Sequence, residues 1–207
     1  MKTPFAIVVL MLTLASGWHF AAAQTTFLPA PESRIRIEGT STLDAFTCET
    51  AEVVGEGEIG RTDKVAAMPV AELKASVHSF DCGKARMNRD MRAALKADEF
   101  PEIAFEVSDV RILEPSGNGI TLRVAGRLTI AGAERDVELD VEGSRLADGR
   151  VRAYGEVGLR MTDFGIQPPT ALFGLVRAHD PIKVSFDLYG VPEPSPSMAG
   201  NGGATAN

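Results

Sequence analysis

Histidine, cysteine and tryptophan are scarce in this 207-residue chain, with three, two and one copies. A metal centre or a histidine-dependent catalytic pair therefore has little to be built from. His78 and His179, the histidines beyond the first 23 residues, have no ligating partner at metal spacing on their own element. Asp180 follows His179 directly, so on a strand the two side chains leave on opposite faces. No G-x-S-x-G elbow is present, and Asp163-Phe164-Gly165 lacks the Gly-rich loop and lysine strand that give this triplet its meaning in kinases. Positive charge is short too: 21 Lys and Arg face 28 Asp and Glu, the formal net charge is −7, and the cations are scattered. A nucleic-acid binder would carry a basic stripe, so that class is excluded. The acidic residues fall on the polar faces of alternating segments and read as solvated. No buried carboxylate pair for acid–base chemistry can be placed among them.

A long apolar run occurs once, at the start. Lys2 precedes the run Phe5 to Ala15, and Ala21-Ala22-Ala23 offers a small-residue cleavage site, the pattern of a secretory signal peptide over residues 1–23. A retained membrane anchor is the alternative, disfavoured by the shortness of the run. Removal after Ala23 leaves 184 of the 207 residues and one lysine fewer, so the charge becomes about −8. No cysteine follows the site, so no lipoprotein anchor is indicated. In an exported chain, Cys48 and Cys82 are better placed for a disulfide than for a metal site. Such a bridge would close about 33 residues and contribute roughly 3–4 kcal/mol. Two separate buried thiols are the alternative.

What the sequence has in plenty is alternation of apolar and polar residues. Arg34 to Glu38 alternates cleanly, and Phe46 to Ile59 more weakly around Gly55 and Gly57, which predicts bending. Val65 to Val77 reads as one strand broken by Pro69, or as two short pieces. From Ile103 the pattern sharpens: Ile103 to Val107, Leu122 to Ile130, Val137 to Glu142, Val151 to Arg160 and Ile182 to Tyr189. Turns fall at Ala131-Gly132-Ala133 and at Asp148-Gly149. About eight strands with one apolar face each predict an all-β antiparallel meander. Rolling it into a barrel covers the apolar side and removes exposed edges; a two-sheet sandwich is the alternative. One helix interrupts this order. Met87, Met91 and Leu95 recur every four residues between Lys84 and Phe100-Pro101, where proline ends the element. Residues 24–33 read as a loose polar leader, 34–191 as the single domain, and 192–207, rich in Pro, Ser, Gly, Ala and Asn, as a disordered tail.

Three segments carry a resemblance. The stretches MNRDMRAALKADEFPEIAF (Met87 to Phe105), GRLTIAGAERDVELDV (Gly126 to Val141) and MTDFGIQPPTALFG (Met161 to Gly174), followed by a terminal strand, resemble the YceI-like polyisoprenoid-binding family over Arg34 to Val191. The resemblance implies an eight-stranded antiparallel lipocalin-like barrel with one inserted helix and a long apolar cavity. It also implies a periplasmic location and a bound isoprenoid lipid, such as a polyprenyl phosphate or an isoprenoid quinone, with no catalytic cofactor. Members often begin the helix with a histidine and carry an aromatic pair along it. This chain has Met87-Asn88-Arg89-Asp90-Met91 and Ala93-Ala94-Leu95 instead.

The chemistry agrees with a greasy interior. An eight-stranded barrel just encloses side chains or one slender ligand, and each buried methylene contributes about 0.8 kcal/mol. Candidate wall residues are Phe105, Leu122, Val124, Leu139, Val157, Val184 and Phe186, each of which would serve equally in a filled core. Met87, Met91 and Leu95 would cap one end, where flexible thioethers suit an irregular ligand. Phe164, Ile166, Leu172, Phe173 and Leu175 are too apolar for a solvated loop, and a flap over the barrel mouth is expected there; a loop packed on the sheet exterior is the alternative. Asn88, Arg89, Arg177 and His179 are the head-group candidates. A non-enzymatic lipid carrier is the expected function. An enzyme on the same barrel and an envelope or stress-related interaction module with a filled barrel are the competing classes. A transient contact with the membrane surface and a homodimer are the partner expectations beside the lipid.

Overall fold

A computed structural model describes residues 24–60, 71–116 and 119–193. The signal-peptide segment, Pro69 and the tail from residue 194 lie outside the described residues. In chain order the elements are β1 (Gln24–Pro29), β2 (Arg34–Ser41), β3 (Ala45–Thr50), β4 (Val53–Gly60), β5 (Ala71–Ser76), α1 (Ala85–Ala94), β6 (Glu102–Ser116), β7 (Gly119–Ile130), β8 (Ala133–Arg145), β9 (Val151–Arg160), β10 (Thr170–Ala171) and β11 (Val176–Pro192).

Antiparallel pairing runs from β4 through β5, β6, β7, β8 and β9 to β11, and β1 closes the ring by pairing with both β11 and β4. β2 continues β1 along the same edge of β11, and β3, paired to β2, continues in β4. The result is a closed eight-stranded antiparallel barrel in which two neighbouring strands are each broken once. Closure leaves no long free edge and selects the barrel over the sandwich.

Both breaks are held by buried hydroxyls. Pro29 faces Gly190 and Arg34 faces Asp187, five steps on one strand against three on the other, so the chain bulges between β1 and β2. Ser33, with no exposed surface, takes the Tyr189 N–H at 3.1 Å and donates to the Tyr189 carbonyl at 3.3 Å. Between β3 and β4, buried Thr50 accepts the Glu52 N–H at 3.0 Å and bonds Ser79 Oγ at 2.7 Å. The break falls at Ala51-Glu52 rather than at Gly55 or Gly57, which lie within β4.

The segment read as a loose leader carries β1. Phe27 is buried and pairs across to Pro192, so Pro192 belongs to β11 rather than to a tail. A short strand with one large inward side chain lacks the repetition that alternation needs to be visible. The β7–β8 turn is two residues, Ala131 (φ 50) and Gly132 (φ 77), both left-handed as a tight hairpin requires.

The helix ends a turn earlier than Phe100-Pro101. Lys96 adopts φ 52, its N–H bonds the Ala93 carbonyl, and the Ala97 N–H bonds the Arg92 carbonyl, the paired 5→2 and 6→1 closure of a Schellman motif. At the other end Asn88 folds back, accepting the Cys82 N–H at 2.7 Å and donating to Asp81 at 3.0 Å. Cys48 and Cys82 form a disulfide that ties β3 to the approach to α1, beside a two-way backbone bridge between Glu49 and Asp81.

Candidate functional site: an apolar cavity under the helix

Alternation puts one row of each strand on the inside of the barrel. At the α1 end these rows surround a cavity of about 380 Å³. Its wall is Ile35 and Ile37 from β2, Phe46 and Cys48 from β3, Ala75 from β5, Ile103 from β6, Leu128 and Ile130 from β7, Leu159 from β9, and Ile182 and Val184 from β11. Met87, Met91, Ala94 and Leu95 of α1 face it, and Met161, Phe164, Ile166 and Pro169 from the β9–β10 connection complete it. The connection is well anchored. Phe164 and Ile166 are buried with Val77, Leu95, Ala97, Ile130 and Met161, and Asp180 accepts both the backbone N–H and the hydroxyl of Thr162 at 2.9 Å.

Of the wall, cap and flap residues proposed from sequence, Met87, Met91, Leu95, Phe164, Ile166 and Val184 meet at this cavity. Phe105, Leu122, Val124, Leu139, Val157 and Phe186 do not line it. They continue the same inward rows beyond its end, as Phe105 follows Ile103 and Phe186 follows Val184. Beyond that end, two phenyl rings are seated over glycines. A Cβ on Gly126 would lie 2.6 Å from the Phe105 ring, and one on Gly155 would lie 2.5 Å from the Phe186 ring. Phe173 is fully exposed, and the side chain of Leu172 lies outside those described.

The four head-group candidates stand apart from the cavity lining. Asn88 is engaged at the start of α1, Arg89 borders a separate depression with His78 and Lys96, Arg177 is exposed, and His179 Nδ1 pairs with Thr40 Oγ1 at 2.9 Å. The polar residues that do border the cavity are Ser41, Asp44, Lys84, Asp90 and Thr170. Leu43, Asp44, Ala45, Lys84 and Thr170 are exposed, which places the mouth between the β2–β3 turn, the start of α1 and β10. Their spacing in sequence, on three separate connections, gave no common signal.

Electrostatic perturbation lies away from the interior. Asp140 and Arg123 pair bidentately on the outer face, which lowers the carboxyl and raises the guanidinium from their ordinary pKa values. Asp81 is lowered by the Asn88 amide and the Gly83 N–H, and Asp180 by the Thr162 N–H and hydroxyl. Among the described residues, no group of three His, Cys, Asp or Glu is placed to hold a metal ion. The cavity itself offers hydrocarbon, thioether and a disulfide, materials for solvation of an apolar chain rather than for bond making.

The fold is thus a closed antiparallel barrel with an apolar pocket under one inserted helix. The YceI-like domain profile matches residues 28–189, and the chain belongs to that family. Its fold is similar to that of BcnA from Burkholderia cenocepacia (TM-score 0.63, 20% identity, covering 77% of this chain and 96% of that one). It is also similar to a polyisoprenoid-binding domain from Saccharophagus degradans implicated in plant cell wall breakdown (TM-score 0.61, 14% identity, covering 84% and 100%). A variant of the Campylobacter jejuni YceI protein aligns at a TM-score of 0.55 with 16% identity, over 72% of this chain and 85% of that one. No curated protein matches the sequence.

Proposed function

We propose that this protein is a non-enzymatic carrier that holds an isoprenoid lipid, a polyprenyl phosphate or an isoprenoid quinone, by its tail in the cavity under α1. The observation that carries the reading is the composition of that cavity: mostly aliphatic, aromatic and thioether side chains, with three of its five polar residues, Asp44, Lys84 and Thr170, at the exposed mouth. Its volume of about 380 Å³ is at the low end of ligand pockets, which span roughly 300–1,000 Å³. The cavity therefore fits part of a prenyl chain, with the head group and the remaining units at the mouth. The signal-peptide pattern supports action in the periplasm, where transient contact with a membrane would load the lipid. The polyisoprenoid-binding domain with the same fold supports the choice of lipid class. No cofactor is part of the reading. Organic extraction of natively purified protein followed by mass spectrometry tests it. A near-stoichiometric isoprenoid is expected; protein that carries none, and takes up none when mixed with prenyl lipid, overturns the carrier reading in favour of the interaction module.

A further inference from the structure

Away from the mouth, the exposed large apolar side chains among the described residues are one cross-strand pair, Leu28 and Val191, and the scattered Val54, Ile112 and Leu113. The mouth is different. The three most exposed large apolar residues among those described are Phe173, fully exposed, Leu175 at 80% and Leu43 at 76%; the next, Val54, is at 59%. All three belong to two loops at one place. Thr42 joins the loops: its N–H donates to the Arg177 carbonyl at 2.9 Å, its hydroxyl donates to the Leu175 carbonyl at 3.3 Å, and it accepts the Arg177 N–H at 3.2 Å. Leu43 also lines the cavity, so the outer patch and the inner surface are continuous.

The backbone holds Phe173 outward against its own preference. Phe173 has φ 56 and Gly174 φ 89, so a bulky residue occupies the left-handed region and presents its ring to water. That conformation is unfavourable for any L-residue with a large side chain and persists only where neighbouring structure imposes it. Two cations accompany the patch. Lys84 borders the mouth and Arg177 opens β11 just after the second loop, and neither has a carboxylate partner among the described residues, unlike Arg86, Arg160 and Lys183.

The geometry points to a lipid bilayer as the partner of this tip, with Leu43, Phe173 and Leu175 entering the head-group boundary while Lys84 and Arg177 meet phosphates. The inference rests on the carrier reading and names the surface through which the cavity is loaded. Three side chains are far too few for a stable protein interface, which takes about 800 Å² from each partner. They suffice for shallow, reversible insertion, where apolar burial and attraction to anionic lipid add together. The mouth then opens into acyl chains, and a prenyl tail can pass inward without crossing water.

Vesicles of phosphatidylcholine with phosphatidylglycerol provide the test, with sedimentation of the whole mature protein as the readout. The double variant Phe173→Asn and Leu175→Ser leaves the cavity lining intact, makes the outer loop polar and gives residue 173 a side chain that tolerates the left-handed conformation. The expected result is a loss of vesicle association of about tenfold or more, with an unchanged melting temperature of the delipidated protein and unchanged uptake of prenyl lipid presented in detergent. Equal association of the variant and the native chain overturns the inference, as does a native chain that ignores vesicles. A native chain that instead dimerises through the tip, with the variant monomeric, assigns the patch to a second copy. Uptake from detergent is scored separately, so failure of the carrier reading and failure of the tip are distinguishable.

Discussion

Ser33 and Thr50 are the two buried polar side chains among the described residues, and each sits where a long strand breaks. At such a point the ladder cannot satisfy every backbone group, and a buried unpaired N–H is costly. Ser33→Ala removes the acceptor of the Tyr189 N–H and is expected to destabilise by about 1–3 kcal/mol, measured by urea unfolding; a change within error would mean that water takes over the bond. The phenyl rings over Gly126 and Gly155 act at the same scale. Phe186→Ala should destabilise by about 3 kcal/mol and deepen the cavity, shifting the preferred prenyl length upward in a binding series. An unchanged length preference would show that the Phe186 layer does not limit the tail. These residues also mark what could be read beforehand. Alternation assigned Phe105, Val157 and Phe186 to the inward face alongside Val184, but a period of two reports the face and not the depth. Depth is set by register between strands far apart in sequence, so Ile35, Ile37 and Leu159, apolar members of alternating segments like Leu122 and Leu139, gave no sign that they rather than those two would reach the cavity wall.

At the scale of elements, α1 was the most legible part of the chain, because Met87, Met91 and Leu95 fall on one stripe and now line the cavity. Its end was not legible. The left-handed position that closes a helix is usually glycine, and here it is Lys96. Lys96→Gly keeps the same hydrogen bonds without the Cβ clash and should stabilise by about 0.5–1 kcal/mol, read as a higher melting temperature; a loss of stability would mean that the lysine side chain makes a contact that matters more than backbone strain. The disulfide works at the other end of the helix. Cysteine count and an export signal were enough to suggest the bridge, and the structure shows that it pins β3 to Cys82 just before α1. Two cavity-lining elements are thereby joined, since Cys48 and Cys82 both border the pocket. Cys48→Ser with Cys82→Ser should lower unfolding free energy by roughly 3–4 kcal/mol and weaken lipid retention more than a surface variant of equal stability. Retention that simply tracks stability would separate the bridge from the site.

For the whole molecule, closure by β1 and an interior that is hollow at the α1 end bind folding to ligand. Phe27 of β1 is buried while β1 pairs with both β4 and β11, so the strand completes the ring at the end away from α1 and sends a large side chain inward there. The hollow end holds the cavity and has α1, the β9–β10 connection and the mouth loops around it. A ligand that enters only the closed barrel binds the folded state alone and must stabilise it by mass action. At a hundredfold excess over its dissociation constant, that amounts to about 2.7 kcal/mol. For a chain of this size the melting temperature then rises by roughly 5–10 °C. Delipidated protein titrated with prenyl lipid in a thermal melt is therefore expected to shift upward until the cavity saturates. Val184→Trp, which places an indole where Val184 lines the wall, should melt within a few degrees of the delipidated native chain and lose most of the lipid-dependent rise, because the space is taken from within. A rise of the same size in Val184→Trp would put the lipid elsewhere on the barrel, and no rise in the native chain would break the link between this hollow and an isoprenoid altogether.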